Sequence, residues 1–217
     1  MKKEADFRAE ESIRIETEAV SNMLGCIKST AFAEAVALLS RTDRVMTCAS
    51  GTSGVAAKKF AHSLCCIDIG AMFMPPCEAV HGGLGALKEG NVMIMISRGG
   101  KTAELLPVID ACAKRRAKLI AITENMESPL AVAADVVLPL TIERESDKYD
   151  MMATSSFMAT IALCDALLVA LMEETDYQKG QFAPIHPGGA VGMRLNQSYI
   201  TENMEGESTE ECIRTLK

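Results

Sequence analysis

The sequence predicts an α/β fold in which a parallel sheet lies between two layers of helices. Short, continuous apolar runs, such as Val92 to Ile96, are typical of strands that are buried on both faces of a sheet. Segments with helical periodicity separate these runs, and strands that alternate with helices form parallel sheets. Several runs end in loops rich in glycine, serine and threonine. We therefore expect four or five parallel strands, with any ligand bound outside their carboxyl ends.

Composition indicates a globular domain and argues against some functions. The 217-residue chain is 48% hydrophobic and 24% charged, which provides enough apolar material to bury a core. Its net charge of −7 argues against a nucleic-acid partner, because affinity for phosphate backbones depends on many lysine and arginine contacts. The eight cysteines include no CxxC pair, so we expect reduced core residues and neither a metal nor another cofactor.

The apolar segments do not match membrane or export signals. The N-terminal stretch MKKEADFRAEE lacks the apolar segment of a signal peptide. The longest apolar stretch, Phe157 to Met172, contains Asp165 and is shorter than the roughly 20 residues that span a bilayer. We therefore expect a cytoplasmic protein without a membrane partner.

A helical arm precedes the first strand. Residues 1–40 carry apolar stripes with helical spacing, broken near Gly25 to Thr30. The arm either covers the domain or packs on a second subunit, and the pattern does not separate these alternatives.

The first predicted strand, Arg44 to Cys48, is followed by the loop ASGTSG and a helix. The hydroxyls of Thr52 and Ser53, with the N–H groups at the start of that helix, offer donors to an anion. The loop matches neither the Walker pattern nor the dinucleotide pattern GxGxxG, so it is weak evidence alone. The next strand, Ile69 to Met74, leads to a glycine-rich loop in which His81 is either a ligand contact or a structural turn residue.

The loop after Val92 to Ile96 is the strongest candidate for a phosphate site. It reads SRGGKT, from Ser97 to Thr102, and its two glycines allow close backbone approach to a ligand. Thr102 is a candidate N-cap for a helix over residues 102–116, whose N-terminus favours an anion. An ordinary turn between strand and helix is the alternative interpretation. Glu104 either complements the helix dipole or points into a ligand cavity.

The second half of the chain adds two strands, a carboxylate-rich loop and a long helix. We expect the strands at residues 118–122 and 135–140. The polar segment that follows includes Glu145, and a charge run of this kind usually indicates a solvated loop. The helix that begins near Ser155 is apolar nearly all round, which predicts burial. His186 lies between two prolines, in a segment rigid enough to fix its side chain.

Five stretches together resemble the SIS (sugar isomerase) domain, and within it the D-arabinose 5-phosphate isomerase group. The family patterns are GxGKSG, HPGEAxHGDLG, SNSGES-x-E, a glutamate before PTSS, and SHPGGALG. Their counterparts here agree in order and spacing, and are residues 49–54, 75–85, 97–104, Glu145 with 153–156, and 185–192. The last two elements are fairly specific, whereas either phosphate loop alone is not. The match covers about residues 40 to 196.

The resemblance implies a three-layer αβα sandwich with a five-stranded parallel sheet in flavodoxin-like order. The SIS domain would span 41–196, between the arm at 1–40 and an acidic tail at 197–217. The resemblance also implies a homodimer or homotetramer in which neighbouring subunits complete each site. The residues that match its catalytic positions are Glu104, Glu145 and His186. Candidate substrate-binding residues are Thr52, Ser53, His81, Ser97, Arg98, Gly99, Lys101 and Thr102, of which Ser53, Ser97 and Thr102 would hold a phosphate.

These residue types suit the isomerisation of a sugar phosphate. The reaction removes a proton alpha to a carbonyl and returns it to the adjacent carbon through an enediol. A carboxylate suits the base, and either Glu104 or Glu145 fits that role; a histidine can move hydroxyl protons near neutral pH. We therefore expect a pentose 5-phosphate isomerase that interconverts a pair such as D-arabinose 5-phosphate and D-ribulose 5-phosphate.

Departures from the family pattern keep other functions open. The lysine of GKSG is Thr52 here, the aspartate of HGDLG is Gly83, and the second serine of SNSG is Gly99. We expect Arg98 or Lys101 to resupply the cation. The main alternative is a non-catalytic protein that binds or senses a sugar phosphate, and another SIS chemistry is a weaker one. The resemblance stops before the paired cystathionine-synthase-type regulatory domains, so we expect a stand-alone core.

Overall fold

The predicted parallel sheet is present, with five strands. The computed structural model describes residues 3–187 and residue 192. The strand order is β2-β1-β3-β4-β5, and every neighbouring pair is parallel. The strands are β1 (Val45–Cys48), β2 (Ala71–Phe73), β3 (Val92–Ile96), β4 (Lys118–Thr123) and β5 (Val136–Pro139). The predicted acidic tail, residues 197–217, and residues 188–191 lie outside the described residues.

Eight α-helices are found in the described residues. They are α1 (Lys3–Ile27), α2 (Thr30–Leu39), α3 (Gly51–Cys65), α4 (Pro76–Ala79), α5 (Leu106–Lys114), α6 (Pro129–Ala133), α7 (Ser155–Glu174) and α8 (Lys179–Ile185). Short 3₁₀ turns occupy Gly83–Ala86 and Ala103–Leu105. The expected helix over 102–116 is therefore shorter, because the chain makes a 3₁₀ turn before α5, which carries Pro107 in its first turn, where a proline is tolerated.

The sheet separates two apolar layers. Alternate residues of β3 point to opposite faces, so that Ile94 packs with the helices α1, α2, α3 and α7, and Met93 packs with α5 and α6. All five residues of β3 are buried, as the continuous apolar run predicts. Not every cysteine is a core residue, since Cys65 and Cys77 are exposed.

The arm consists of two helices that meet at an angle of 80°. Ser29 caps the second helix, because its hydroxyl accepts the N–H of Phe32 at 3.2 Å. α1 packs along α7, so the arm covers the domain, while Phe7, Ile13 and Leu24 remain exposed on it. Helix α7 is long and apolar enough to span a membrane by length and composition, but Leu163, Leu167 and Leu171 are buried in the core of this fold.

Gly100 provides a test of how the loop after β3 is packed. Its φ is +65°, and a Cβ atom there would lie 2.0 Å from the hydroxyl oxygen of Ser128. That hydroxyl accepts the N–H of Ala131 and so caps α6, which prevents it from moving aside. We expect Gly100→Ala to lower the free energy of unfolding by about 2–3 kcal/mol.

Gly99→Ala is the matched control, because no atom lies within 4 Å of the Cβ position at Gly99. Its effect should stay within about 0.5 kcal/mol. Chemical denaturation measures both variants. Equal stability of the two would contradict the packing described here.

Candidate active site

The loops after β1 and β3 flank a cleft at the carboxyl edge of the sheet. These two strands are neighbours, but the chain continues from β1 to β2 on one side and from β3 to β4 on the other. Such a switch in strand order opens a crevice where ligands bind in α/β proteins. The cleft has a volume of about 400 Å³, and its lining includes Ser50, Gly51, Lys58, Phe73, Cys77 and Glu104.

Glu104 lies at this cleft and is joined to the start of α3. The Ser50 hydroxyl donates a hydrogen bond of 3.0 Å to Glu104 Oε2. Ser50 is the N-cap residue of α3, yet its side chain makes no capping bond to the helix. The first-turn N–H groups of α3, which include those of Thr52 and Ser53, have no partners within the helix. They are therefore free to bind an anion at the start of α3.

The loop after β3 is held together by its own hydroxyls. Ser97 is buried, and its hydroxyl oxygen lies 2.9 Å from that of Thr102 and accepts the N–H of Gly100 at 3.1 Å. Thr102 is the N-cap residue of the 3₁₀ turn that it precedes, so its predicted position is confirmed, but its hydroxyl makes no capping bond to that turn. The Ser97 hydroxyl bonds to both Thr102 and Gly100, which fixes the loop before any ligand arrives.

Glu145 is the anion at the start of α7. It accepts the N–H groups of Thr154 and Ser156, at 2.9 and 3.1 Å, and the Thr154 hydroxyl at 3.2 Å. Arg98 Nη1 donates to its second oxygen at 2.9 Å. The side chain is only 2% exposed, so the expectation of a solvated loop is wrong at this position. Burial alone would raise the pKa of Glu145, but these hydrogen bonds and the Arg98 charge hold it below the ordinary value.

The arm fastens the loop that carries Glu145. Arg144 Nη2 donates to Glu11 at 3.1 Å. The Ser146 hydroxyl accepts a hydrogen bond from the Ser12 hydroxyl at 2.7 Å and donates one to Glu16 at 3.2 Å. The residues on either side of Glu145 are therefore both bound to α1. This is a direct structural link between the N-terminal helix and the candidate site.

Arg98, in the loop after β3, binds two carboxylates. Its Nε donates to Glu124 at 2.7 Å and its Nη1 to Glu145 at 2.9 Å. Arg98 also lines a small cavity of about 10 Å³ together with Thr52, Ser53 and other residues. Lys101, in contrast, is exposed and has no ion pair among the described residues.

Among the described residues, neither candidate histidine makes a hydrogen bond to Glu104 or Glu145. His186 stacks on Phe182 with ring centroids 3.6 Å apart, and its Nδ1 lies 3.1 Å from the Phe182 carbonyl oxygen. Its hydrogen bonds in the described part of the chain stay within α8. His81 is exposed beyond α4. A Cβ at Gly83 would lie 2.8 Å from the Glu78 carbonyl oxygen, so the short loop after His81 fits glycine there.

Sequence reasoning missed Ser50 and Lys58 as site residues. Ser50 is the N-cap residue of α3, but its bond to Glu104 spans 54 residues and has no local signal in the sequence. Lys58 lies on α3, about two turns beyond Gly51, and reaches the same cleft. Among residues 3–187 and 192, no group of three histidine, cysteine or carboxylate side chains is placed to hold a metal ion.

Glu145→Gln should reveal the structural role of the buried carboxylate. We expect it to lower the free energy of unfolding at pH 7 by about 2 kcal/mol, because charge-assisted hydrogen bonds to α7 and Arg98 are lost. The carboxylate has a lowered pKa in the fold, so this stabilisation is present above the unfolded value near 4.5 and is lost as the pH falls through the lower folded value. The difference from wild type should therefore shrink below about pH 4.

Glu124→Gln is the control for that experiment, because it removes the other, more exposed carboxylate bound to Arg98. Its effect should stay within about 1 kcal/mol. Denaturation curves between pH 3 and 7 measure both. A difference for Glu145→Gln that does not change with pH would refute this role.

Three comparisons place the chain among known proteins. Residues 38–170 match the SIS domain family model. The chain is 35% identical over 197 residues to the arabinose 5-phosphate isomerase KdsD of Pseudomonas aeruginosa, covering 90% of this chain and 60% of that protein. The chain thus spans about three fifths of the length of this relative, and about half the length of others.

Two solved structures share the fold. A candidate sugar-phosphate isomerase from Listeria monocytogenes is 40% identical, with a TM-score of 0.82 over 87% of this chain and 100% of that one. A protein of Escherichia coli CFT073 in complex with A5P is 27% identical, with a TM-score of 0.78 over 86% of this chain and 100% of that one. On the family match and the likeness to the Listeria protein, the chain belongs to the SIS domain family.

Proposed function

We propose that the protein is a phosphosugar aldose–ketose isomerase that acts on a pentose 5-phosphate. The observation that carries this proposal is the carboxylate of Glu104 beside the uncapped start of α3, since an isomerase needs a base next to an anion site. The Pseudomonas relative is named arabinose 5-phosphate isomerase, and the Escherichia coli structure contains A5P. Both support a substrate of the arabinose 5-phosphate class.

The substrate phosphate would bind at the start of α3. The N–H groups and hydroxyls of Thr52 and Ser53 would donate to its oxygens, with Ser97 and Thr102 on the facing loop. Helix α7 offers no comparable place, because Glu145 already occupies its N-terminus. A phosphate held at α3 leaves the sugar carbons in the cleft towards Glu104.

Glu104 suits the base better than Glu145 does. Removing the proton from C2 of the aldose leaves the C–H electron pair in a C1–C2 double bond, and the carbonyl oxygen takes a proton to give the enediol. Return of a proton to C1, with loss of the O2 proton, gives the ketose. Glu104 is exposed to the cleft, whereas Glu145 has a lowered pKa and four hydrogen bonds, which make it a weak base.

His186 would move the hydroxyl protons from a neighbouring subunit. Its contacts within this chain do not bring it to Glu104, so the proposed site needs a second copy, in a homodimer or homotetramer. The SIS domain would comprise residues 41–196, and the protein would act in the cytoplasm.

Deuterium exchange tests the isomerase proposal. Incubation with D-arabinose 5-phosphate in deuterated water should yield D-ribulose 5-phosphate, with deuterium at the transferred position, followed by NMR. Glu104→Gln should lower turnover by about 10²- to 10⁴-fold while binding persists, because the amide cannot take the proton. Asp110→Asn, on the exposed face of α5, is the charge-matched control and should behave as wild type. Binding by wild type without exchange or conversion would favour the sensing function instead.

Subunit mixing tests the shared site. Glu104→Gln and His186→Ala should each be inactive alone. In a mixed dimer, one site combines the intact Glu104 of one chain with the intact His186 of the other, so random mixing should restore about a quarter of the activity. No recovery in mixtures shown to contain mixed oligomers would mean that each chain completes its own site.

A further inference from the structure

We propose that Arg98 supplies the cation that binds the substrate phosphate, from a position beside Thr52 and Ser53 fixed by Glu124 and Glu145. This inference rests on the proposed function, because it assigns a role within that site. It chooses Arg98 over Lys101, the other cation that the sequence left open. Three features of Arg98 support this role: its location, its fixed orientation and its unused donors.

The location of Arg98 brings its charge to the start of α3. Arg98 lines the same small cavity as Thr52 and Ser53, two residues of the first turn of α3. Arg98 therefore occupies the space that borders the first turn of α3, where the uncapped N–H groups lie. An anion bound at those N–H groups would meet the guanidinium as its next neighbour.

The orientation of Arg98 is fixed at both ends. Its carbonyl oxygen accepts the Thr123 hydroxyl at 2.9 Å and the N–H of Glu124 at 3.0 Å. Its side chain donates to Glu124 and to the buried Glu145. A side chain held in this way loses little conformational entropy when a ligand binds, which favours affinity.

Two carboxylate bonds leave donors for a ligand. A guanidinium has five N–H donors, and the bonds to Glu124 and Glu145 use one each. The side chain is 35% exposed, so the remaining donors can be reached by a ligand. Arginine also matches the oxygens of a phosphate with its planar fork, which the exposed Lys101 cannot do. The two carboxylates raise the pKa of Arg98 against the effect of burial, and the group stays charged.

The two carboxylates bound to Arg98 differ in how firmly they are held. The N–H groups at the start of α7 hold the Glu145 carboxylate in place. Glu145 therefore keeps its bond to Arg98 when a ligand binds. Glu124 is more exposed and is the partner that a phosphate would displace. Arg98 is thus a substrate-binding residue, and Glu124 sets how readily it is released to the substrate.

The test is the affinity for D-arabinose 5-phosphate and for inorganic phosphate, measured by titration calorimetry at several salt concentrations. Arg98→Asn should weaken both by about 10- to 100-fold, because a charge-assisted hydrogen bond is lost. Its binding should also depend less on salt than wild-type binding does. Arg116→Asn is the matched control: it removes the same charge from an exposed pair with Glu89, and should leave both affinities within about twofold of wild type.

A second variant relocates the cation. Arg98→Asn combined with Thr52→Lys returns a positive charge to another residue that lines the same cavity, and should recover part of the lost affinity. If Arg98→Asn fails to fold because Glu145 loses its partner, Arg98→Lys carries the test, since it keeps the charge and loses the fork; a several-fold loss is expected. Unchanged affinity in a folded Arg98 variant would overturn the proposal.

These outcomes separate the two proposals. Wild-type turnover together with unchanged binding by Arg98→Asn would refute the role of Arg98 and leave the isomerase proposal standing. Phosphate binding that depends on Arg98, without any isomerisation by wild type, would refute the isomerase and leave the role of Arg98 standing.

Discussion

The site depends on the buried carboxylate of Glu145. It satisfies the N-terminus of α7 and holds Arg98. Because the side chain is almost wholly buried, it must be paired in this way to remain ionised. Through Arg144 and Ser146, the same loop is bound to the arm. The ionised Glu145 thus connects α7 to the loop after β3, and its two chain neighbours connect the same segment to α1.

This interaction gives the two long helices at the candidate site different functions. The Glu145 carboxylate already accepts the N–H groups at the start of α7, so this N-terminus has no place for another anion. Helix α3 has a cap residue, Ser50, whose hydroxyl bonds to Glu104 instead of to the helix. The same dipole physics therefore stabilises the fold at one helix and leaves a place for a phosphate at the other. Glu145 therefore has a structural role, whereas Glu104 is the candidate base.

The sequence predicted the features that depend on local patterns. The strand β3 followed from a continuous apolar run, and the break in the arm followed from a change in periodicity near Ser29. The burial of Glu145 could not be predicted in this way, because a charge run normally indicates solvent exposure. Its burial depends on the start of α7 and on Arg98, which is 47 residues away. The Ser50 bond to Glu104 is similarly long-range. Such contacts exist only once the parallel sheet has brought its loops to one edge.

The central claim is that the open start of α3, and not the closed start of α7, binds the substrate phosphate beside Glu104. A crystal structure of Glu104→Gln with D-arabinose 5-phosphate tests it most directly. The account predicts phosphate oxygens within hydrogen-bonding distance of the N–H groups of Thr52 and Ser53, with C2 of the sugar facing position 104. A phosphate bound elsewhere, or a sugar turned away from position 104, would contradict it.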